Sequence, residues 1–270
     1  MSIMIPIYDY HMHTFLCGHA TGEPKDYVER AISLGLKEVG FSDHAPFLSH
    51  VDPSVTMGID KLLDYYKMIS DLKEEYKDKI SIKIGIEADY MPDYEEKTKE
   101  LLALYSFDYI LGSVHFIESW GFDNPDERPK WDKQDINSIY FAYHKLLRKS
   151  AETGMFDIMA HVDLLKKFGD RATKDLSGEV NATARVFKEC GVAIEINSSG
   201  LRKPIGEIYP SLPELKIYCN EGVPIVFGSD AHTPEQVGMD FDKAVAAARE
   251  AGYKEYLVFE NRKVARTEKL

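Results

Sequence analysis

Hydrophobic and polar positions along the chain fall into a recurring unit: a short apolar run, a polar cluster, then an amphipathic segment. Met4 to Tyr8 reads as a first strand. Glu23 to Leu34 has Pro24 in its first turn, Tyr27, Val28, Ala31 and Leu34 on one face, and Gly35 behind it, which predicts a helix. Glu38 to Ser42 is a short strand, and Ile59 to Tyr76 a long amphipathic helix. Ile80 to Ile86 alternates β-branched residues as a strand does, Tyr94 to Leu104 is helical, and Phe107 to Val114 is a strand. Ile117 to Asp135 breaks the rhythm with Trp120, Trp131, Pro125, Pro129 and many acids. An ordered lid or pocket wall is expected there. The unit then resumes: helix Asp135–Thr153, strand Phe156–Ala160, helix from about Asp175 to Glu189, strand Val192–Ile196, helix Leu212–Asn220, strand Pro224–Phe227, helix Pro234–Ala251 and a last strand Tyr256–Phe259.

About seven strand–helix rounds with buried-type strands imply a parallel sheet. Each strand ends in polar residues. An open sheet gathers its site at one switch point, whereas a closed barrel gathers residues from many strand ends onto one face. The distribution favours the barrel. With 270 residues, no internal repeat and no composition break, a single domain over residues 1–270 is expected.

Charge narrows the partners. The net charge is −12, with acids and bases interspersed, so the basic footprint that nucleic acid demands is lacking. Cys17, Cys190 and Cys219 have no CxxC spacing, which argues against a disulfide framework. Residues 1–10 lack a signal-peptide pattern and no apolar run approaches the roughly 20 residues of a membrane span. A soluble cytoplasmic protein, without nucleic-acid or membrane partners, is the expectation. Composition does not speak to oligomeric state.

The strand ends supply the chemistry. In an extended segment residues two apart share a side, so His11 and His13 can present two imidazoles to one point. Pooled with them at other strand ends are His19, His44, Glu87, His115, His161, Asp230 and His232. Seven of the nine histidines lie at or beyond strand ends, which scatter would not produce; His50 and His144 are assigned solvated or packing roles. Nine donors exceed what one ion takes, so two or three ions are implied, with Glu87 as the natural bridge. Imidazole and carboxylate without thiolate suit zinc, manganese or iron, and Cys17 is taken as a bystander. Clustered cations make hydroxide available near neutral pH and clamp the oxygens of an in-line displacement. That is hydrolytic chemistry, most naturally on a phosphoester. Arg202, in Asn197-Ser198-Ser199-Gly200-Leu201-Arg202, can bind a phosphate in bidentate fashion, with Ser198 beside it. Lys166 and Lys167 are weaker candidates. Asp9, Asp43, Asp89 and Asp163 are expected to orient imidazoles, Asp43 also as a possible proton donor to the leaving group.

These residues resemble the polymerase-and-histidinol-phosphatase (PHP) superfamily of metal-dependent phosphoesterases. The likeness runs in order through Asp9-Tyr10-His11-Met12-His13 with His19, Ser42-Asp43-His44, Glu87, Gly112-Ser113-Val114-His115, Ala160-His161-Val162-Asp163 and Gly228-Ser229-Asp230-Ala231-His232. It implies a distorted seven-stranded, TIM-like (β/α)7 barrel carrying three divalent transition-metal ions at the C-terminal ends of its strands. By position, one ion is held by His11, His13, Glu87 and Asp230, a second by Glu87, His115 and His161, and a third by His19, His44 and His232. Within the superfamily the strongest likeness is to members that hydrolyse L-histidinol phosphate in histidine biosynthesis. It rests on the single-domain length, Ser42-Asp43-His44-Ala45-Pro46, and Ser113-Val114-His115-Phe116 leading into Trp120-Gly121-Phe122-Asp123. The resemblance implies a phosphatase in which Arg202 contacts phosphate, Lys166 or Lys167 is a second basic contact, and the loop bearing Trp120 and Phe122 helps to build the substrate pocket. With the residue-level reading, Glu87, Asp43 and Arg202 are expected in catalytic roles and Ser198 in substrate binding. Another small phosphorylated metabolite or nucleotide is the alternative substrate, and a non-catalytic metal-binding scaffold the competing class.

Overall fold

The computed structural model describes residues 8–270. Of the expected first strand Met4–Tyr8, residues 4–7 lie outside the described residues. Seven parallel strands form one sheet in the order β1 (Tyr8–Asp9), β2 (Glu38–Phe41), β3 (Ser81–Asp89), β4 (Tyr109–Ser113), β7 (Ile158–Met159), β8 (Ala193–Asn197) and β9 (Ile225–Gly228). At the C-terminal rim the two sheet edges meet. Tyr10 N–H donates to Phe227 O at 3.1 Å, Ala231 N–H to His11 O at 3.0 Å, and His13 N–H to Ala231 O at 2.9 Å. The sheet is a nearly closed barrel, distorted where β7 shrinks to two residues.

Helices follow the strands: α1 (Pro24–Leu34), α2 (Leu62–Glu75), α3 (Glu95–Leu102), α4 (Ile136–Glu152), α5 (Ser177–Cys190), α6 (Leu212–Glu221) and α7 (Phe241–Ala251). Helix α1 starts as its sequence dictates, with Glu23 and Asp26 forming a reciprocal capping box, Pro24 in the first turn, and Gly35 left-handed behind it. Helix α7 begins seven residues later than Pro234 suggests. Pro234–Gln236 forms only a 3-10 turn, and Gly238 and Asp240 at φ 63° and 60° interrupt the helical path.

The barrel interior is stacked with tyrosines. The Tyr8 and Tyr10 rings lie 3.7 Å apart and Tyr10 and Tyr109 4.7 Å apart, and the Tyr109 hydroxyl donates to Tyr10 O at 2.6 Å. Gly40 makes this possible, since a Cβ there would fall 2.1 Å from the Tyr109 hydroxyl. At the N-terminal end of the strands, buried Lys83 pairs with Glu260 at 3.0 Å and Glu38 at 3.8 Å. Glu260 belongs to a closing hairpin, β10 (Glu255–Glu260) with β11 (Lys263–Lys269), of which only β10 has an apolar face. The polar, exposed β11 carries no hydrophobic alternation and is absent from the sequence expectation.

The long segment after β4 is ordered. It opens with the small hairpin β5 (Phe116–Ile117) and β6 (Trp120–Gly121) and continues as a 3-10 stretch, Pro125–Lys133. Trp120, Phe122 and Trp131 pack edge to face around its centre, with Tyr143 of α4 behind Phe122. No helix among the described residues is long and apolar enough to cross a membrane.

Candidate metal centre

All nine predicted donors converge on the C-terminal rim. His11, His13 and His19 follow β1, His44 lies past β2, Glu87 is on β3, His115 follows β4, His161 follows β7, and Asp230 and His232 follow β9. Glu87 sits in the middle and divides its oxygens. Oε2 lies 3.1 Å from His11 Nε2, 3.6 Å from His13 Nε2 and 3.1 Å from His44 Nδ1. Oε1 lies 3.0 Å from His161 Nε2 and 3.9 Å from His115 Nε2. Asp230 Oδ1 stands 3.2 Å from His13 Nε2 and 3.8 Å from His11 Nε2. Groups spaced to hold an ion include His11–His13–Asp230, Glu87–His115–His161 and His19–His44–His232, each with donor atoms within 4.8 Å of one another.

The imidazoles are oriented by their other ring nitrogens. Nδ1 donates to Glu195 from His11 at 2.7 Å and to Asp89 from His115 at 2.9 Å. It donates to Cys17 O from His19 and to Asp230 O from His232, both at 3.0 Å. In each case Nε2 is left for the centre. His13 Nε2 and His232 Nε2 are buried with no hydrogen-bond partner, a state that costs free energy unless something accepts the lone pairs. The donor set and these orphaned nitrogens fit divalent transition-metal ions. Two of the donors sit on left-handed backbone, His161 at φ 30° and Asp230 at φ 53°. Such conformations cost about 1–3 kcal/mol each, so the surrounding structure fixes these residues where local preference would not.

Electrostatics sort the donors. Burial alone would raise Glu87, but His44 and His11 beside it hold its carboxyl well below the usual range. Asp230 is held down in the same way, burial being overcome by His11 and His13. Burial and neighbouring imidazoles push His44 and His232 well below the usual histidine value, the neutral form a ligand needs. Burial also opposes charge on His115, yet Asp89 outweighs it and raises the group to about 10.

Above the donors opens a cavity of about 870 Å³ whose walls carry opposite charges. Arg202 and Lys203 line it together with Asp123, Asp126 and Glu127, and Phe47 and Phe116 add an aromatic wall with ring centroids 5.3 Å apart. Arg202 Nη2 donates to Ser229 O, while Nη1 is buried without a partner.

Several expected site residues are elsewhere. Lys166 is buried, 2.6 Å from Asp163 and donating to Ile208 O at 2.7 Å, so its ammonium serves the fold. Lys167 does line the cavity but pairs with Asp123 at 3.1 Å. Ser198 turns away and donates to Met239 O at 2.7 Å; Ser199 lines the cavity instead. Trp120 and Phe122 form the core of their own loop, because burying those rings is what orders it. Asp43 is fully buried against Thr14 and 3.4 Å from His13 Nδ1, out of reach of a leaving group in the cavity. Asp9 receives Ser229 and Gly238 N–H groups, and Asp163 receives Ser211 N–H, so neither orients an imidazole. Of the two other histidines, His50 is exposed and lines the cavity, and His144 is buried against Thr183. Cys17 is fully buried, in a group with His13 and His232, and burial pushes its thiol pKa up, against the thiolate a ligand requires. Glu195 and Lys203 escape the sequence reading. Glu195 lies within an apolar strand between Ile194 and Ile196, and Lys203 is one surface-type residue past Arg202.

A β/α-barrel with a carboxylate-bridged histidine cluster at its C-terminal rim is a metal-centre scaffold, and the comparisons place it in a family. Residues 9–199 match the PHP domain, and the chain belongs to that family. A Deinococcus radiodurans protein named "Probable histidinol-phosphatase" is 36% identical over 249 residues, covering 92% of this chain and 95% of its own length. A Listeria monocytogenes crystal structure, described as a candidate histidinol phosphatase, superposes with a TM-score of 0.80 at 26% identity, over 87% of this chain and 99% of that one. The histidinol phosphate phosphatase of Lactococcus lactis, crystallised with zinc, L-histidinol and phosphate, has a TM-score of 0.79 at 21% identity and covers 96% and 98% of the two chains.

Proposed function

We propose that this chain is a phosphomonoesterase that hydrolyses L-histidinol phosphate to L-histidinol and inorganic phosphate, the step that serves histidine biosynthesis. The observation that carries the reading is the make-up of a single cavity: a carboxylate-bridged histidine centre and the cations Arg202 and Lys203 share its lining with acids and aromatic rings. Three divalent ions fit the three donor groups: His11, His13, Glu87 and Asp230; Glu87, His115 and His161; His19, His44 and His232. Bound there, such ions would lower the pKa of water so that hydroxide is available near neutral pH, and would set positive charge against the phosphoryl oxygens.

The chain's own residues do the rest. Arg202, its Nη2 tied to Ser229 O, holds Nη1 toward a phosphoryl oxygen, and Lys203 offers a second cation. Asp126 and Glu127, which line the cavity, offer carboxylates to the cationic amine of the substrate, while Lys167 and Asp123 pair with each other. Phe47 and Phe116 give an imidazole ring a face to rest on. The named relatives support the choice of substrate, since histidinol phosphatases run the length of the chain.

A panel of phosphomonoesters tests this. L-histidinol phosphate should be turned over with a kcat/KM of at least about 10⁴ M⁻¹s⁻¹, the range of real substrates, and ahead of nucleotides and sugar phosphates. Activity confined to aryl phosphates, or a nucleotide preferred over L-histidinol phosphate, overturns the substrate assignment.

A further inference from the structure

Strand β8 donates no ligand to the centre, yet one of its residues touches two of the three donor groups. Glu195 is 1% exposed. Its Oε1 accepts from His11 Nδ1 at 2.7 Å, and its Oε2 accepts from the His161 backbone N–H at 3.2 Å and from Asn197 Nδ2 at 2.9 Å. Three donors satisfy a carboxylate that burial would otherwise penalise. His11 belongs with His13 and Asp230, and His161 with Glu87 and His115. A single side chain therefore grips one ligand of each group.

Each grip has a consequence. With Nδ1–H committed to Glu195, His11 must aim its Nε2 lone pair at the centre, where Glu87 Oε2 lies 3.1 Å away. At His161 the bond is made to the backbone, at the residue whose φ is 30°. It holds a left-handed turn that local preference would relax, and with it the direction of the ring. Asn197 extends the reach, its Nδ2 lying 3.5 Å from Asp230 Oδ2. Space for the carboxylate comes from Gly228 on the neighbouring strand. A Cβ at Gly228 would stand 1.9 Å from Glu195 Oε1 and 2.6 Å from the Cβ of His11. Gly228 is absent from the positive-φ glycines, so close approach and not conformation calls for glycine here.

We propose that Glu195 is a positioning residue that yokes the first two cation sites, so that both lose affinity together when its carboxylate is altered, and that Gly228 keeps its slot open. This rests on the cation placement proposed above and is independent of the substrate.

Cobalt(II) is the probe, added to the metal-free full chain and followed by its visible absorption and by competition with a chelator. Glu195→Gln removes the negative charge that both grips share, and its NH₂ also opposes a donor at one end, either His11 Nδ1–H or the His161 and Asn197 donors. The expected result is a loss of about 10–100-fold in cobalt affinity at two equivalents, with altered absorption from both. The third equivalent, held by His19, His44 and His232, should be unchanged. Gly228→Ala should reproduce the pattern, and if it does not fold, Glu195→Gln decides alone. Unchanged cobalt affinity and spectra overturn the proposal. So does a loss confined to one equivalent, or an equal loss at all three with a lowered Tm of the metal-free chain, which marks a merely structural role. A chain that binds cobalt as expected but ignores L-histidinol phosphate contradicts the substrate assignment and leaves the yoke standing.

Discussion

Asp89 Oδ1 lies 2.9 Å from His115 Nδ1, and this contact raises the imidazole to about 10 against the opposing effect of burial. In the metal-free chain His115 is therefore protonated at neutral pH, and a cation must displace that proton to bind.

The first prediction follows from that competition. Affinity for the ion that takes His115 should rise with pH from 6 to 9. In the metal-free chain the sign for stability is the reverse. The raised group stabilises fully below its unfolded value of about 6.5, and its contribution fades as pH climbs through about 10. Asp89→Asn should lower metal affinity by about 10–100-fold and flatten its pH dependence, as read by chelator competition at several pH values.

The two lysines should part company. Lys203→Gln is expected to raise KM for phosphomonoesters and the inhibition constant of inorganic phosphate by about tenfold or more, the worth of a lost charged hydrogen bond, with Tm nearly unchanged. Lys166→Met strands the buried Asp163 carboxylate and should cost about 3–5 kcal/mol of stability. Steady-state kinetics and urea unfolding on both variants distinguish the roles. The reverse pattern would return the phosphate contact to Lys166.

Phe122, wholly buried between Trp131 and Tyr143, should behave as a packing residue. Phe122→Ala is expected to lose about 3–5 kcal/mol, seen in denaturant unfolding. A raised KM with full stability would instead put the ring in the pocket.

These contrasts show how far the residues alone could be read. The convergence of the nine candidate donors was legible because seven histidines fall at or beyond strand ends and repeat the signal seven times. Burial was not legible residue by residue. Trp120 and Phe122 look the same whether a ring faces substrate or fills a loop, and Lys166 and Lys203 each follow a strand end by a few residues. Glu195 was hidden because an acid between Ile194 and Ile196 fits the alternation of a strand with one polar face. Asp43 stood correctly beside a ligand, but only the fold revealed that Thr14 and His13 enclose it. The start of helix α7 was misplaced because Pro234 is a good first-turn residue whose helix the left-handed Gly238 and Asp240 interrupt.

His144 supplies an acid-sensitivity prediction away from the centre. It is buried, its Nδ1 lies 3.2 Å from Thr183 Oγ1, and burial lowers it to about 4. The unfolded chain takes up this proton near 6.5 while the folded chain resists until about 4. Stability should therefore fall as pH drops between those values, by up to about 3 kcal/mol. Replacing His144→Gln should remove that part of the slope in urea unfolding measured from pH 7 to 4. An unchanged slope would assign the sensitivity to other groups.

The central claim is that ions seated around Glu87 make this chain a histidinol-phosphate phosphatase. Phosphate release from L-histidinol phosphate by the chelator-stripped chain, titrated with manganese or zinc, tests it most directly. Turnover should be absent at the start, rise with added metal and level off near three equivalents per chain, while Glu87→Ala stays inactive and binds less metal. Full turnover by the stripped chain, or none at any metal occupancy, would contradict the account.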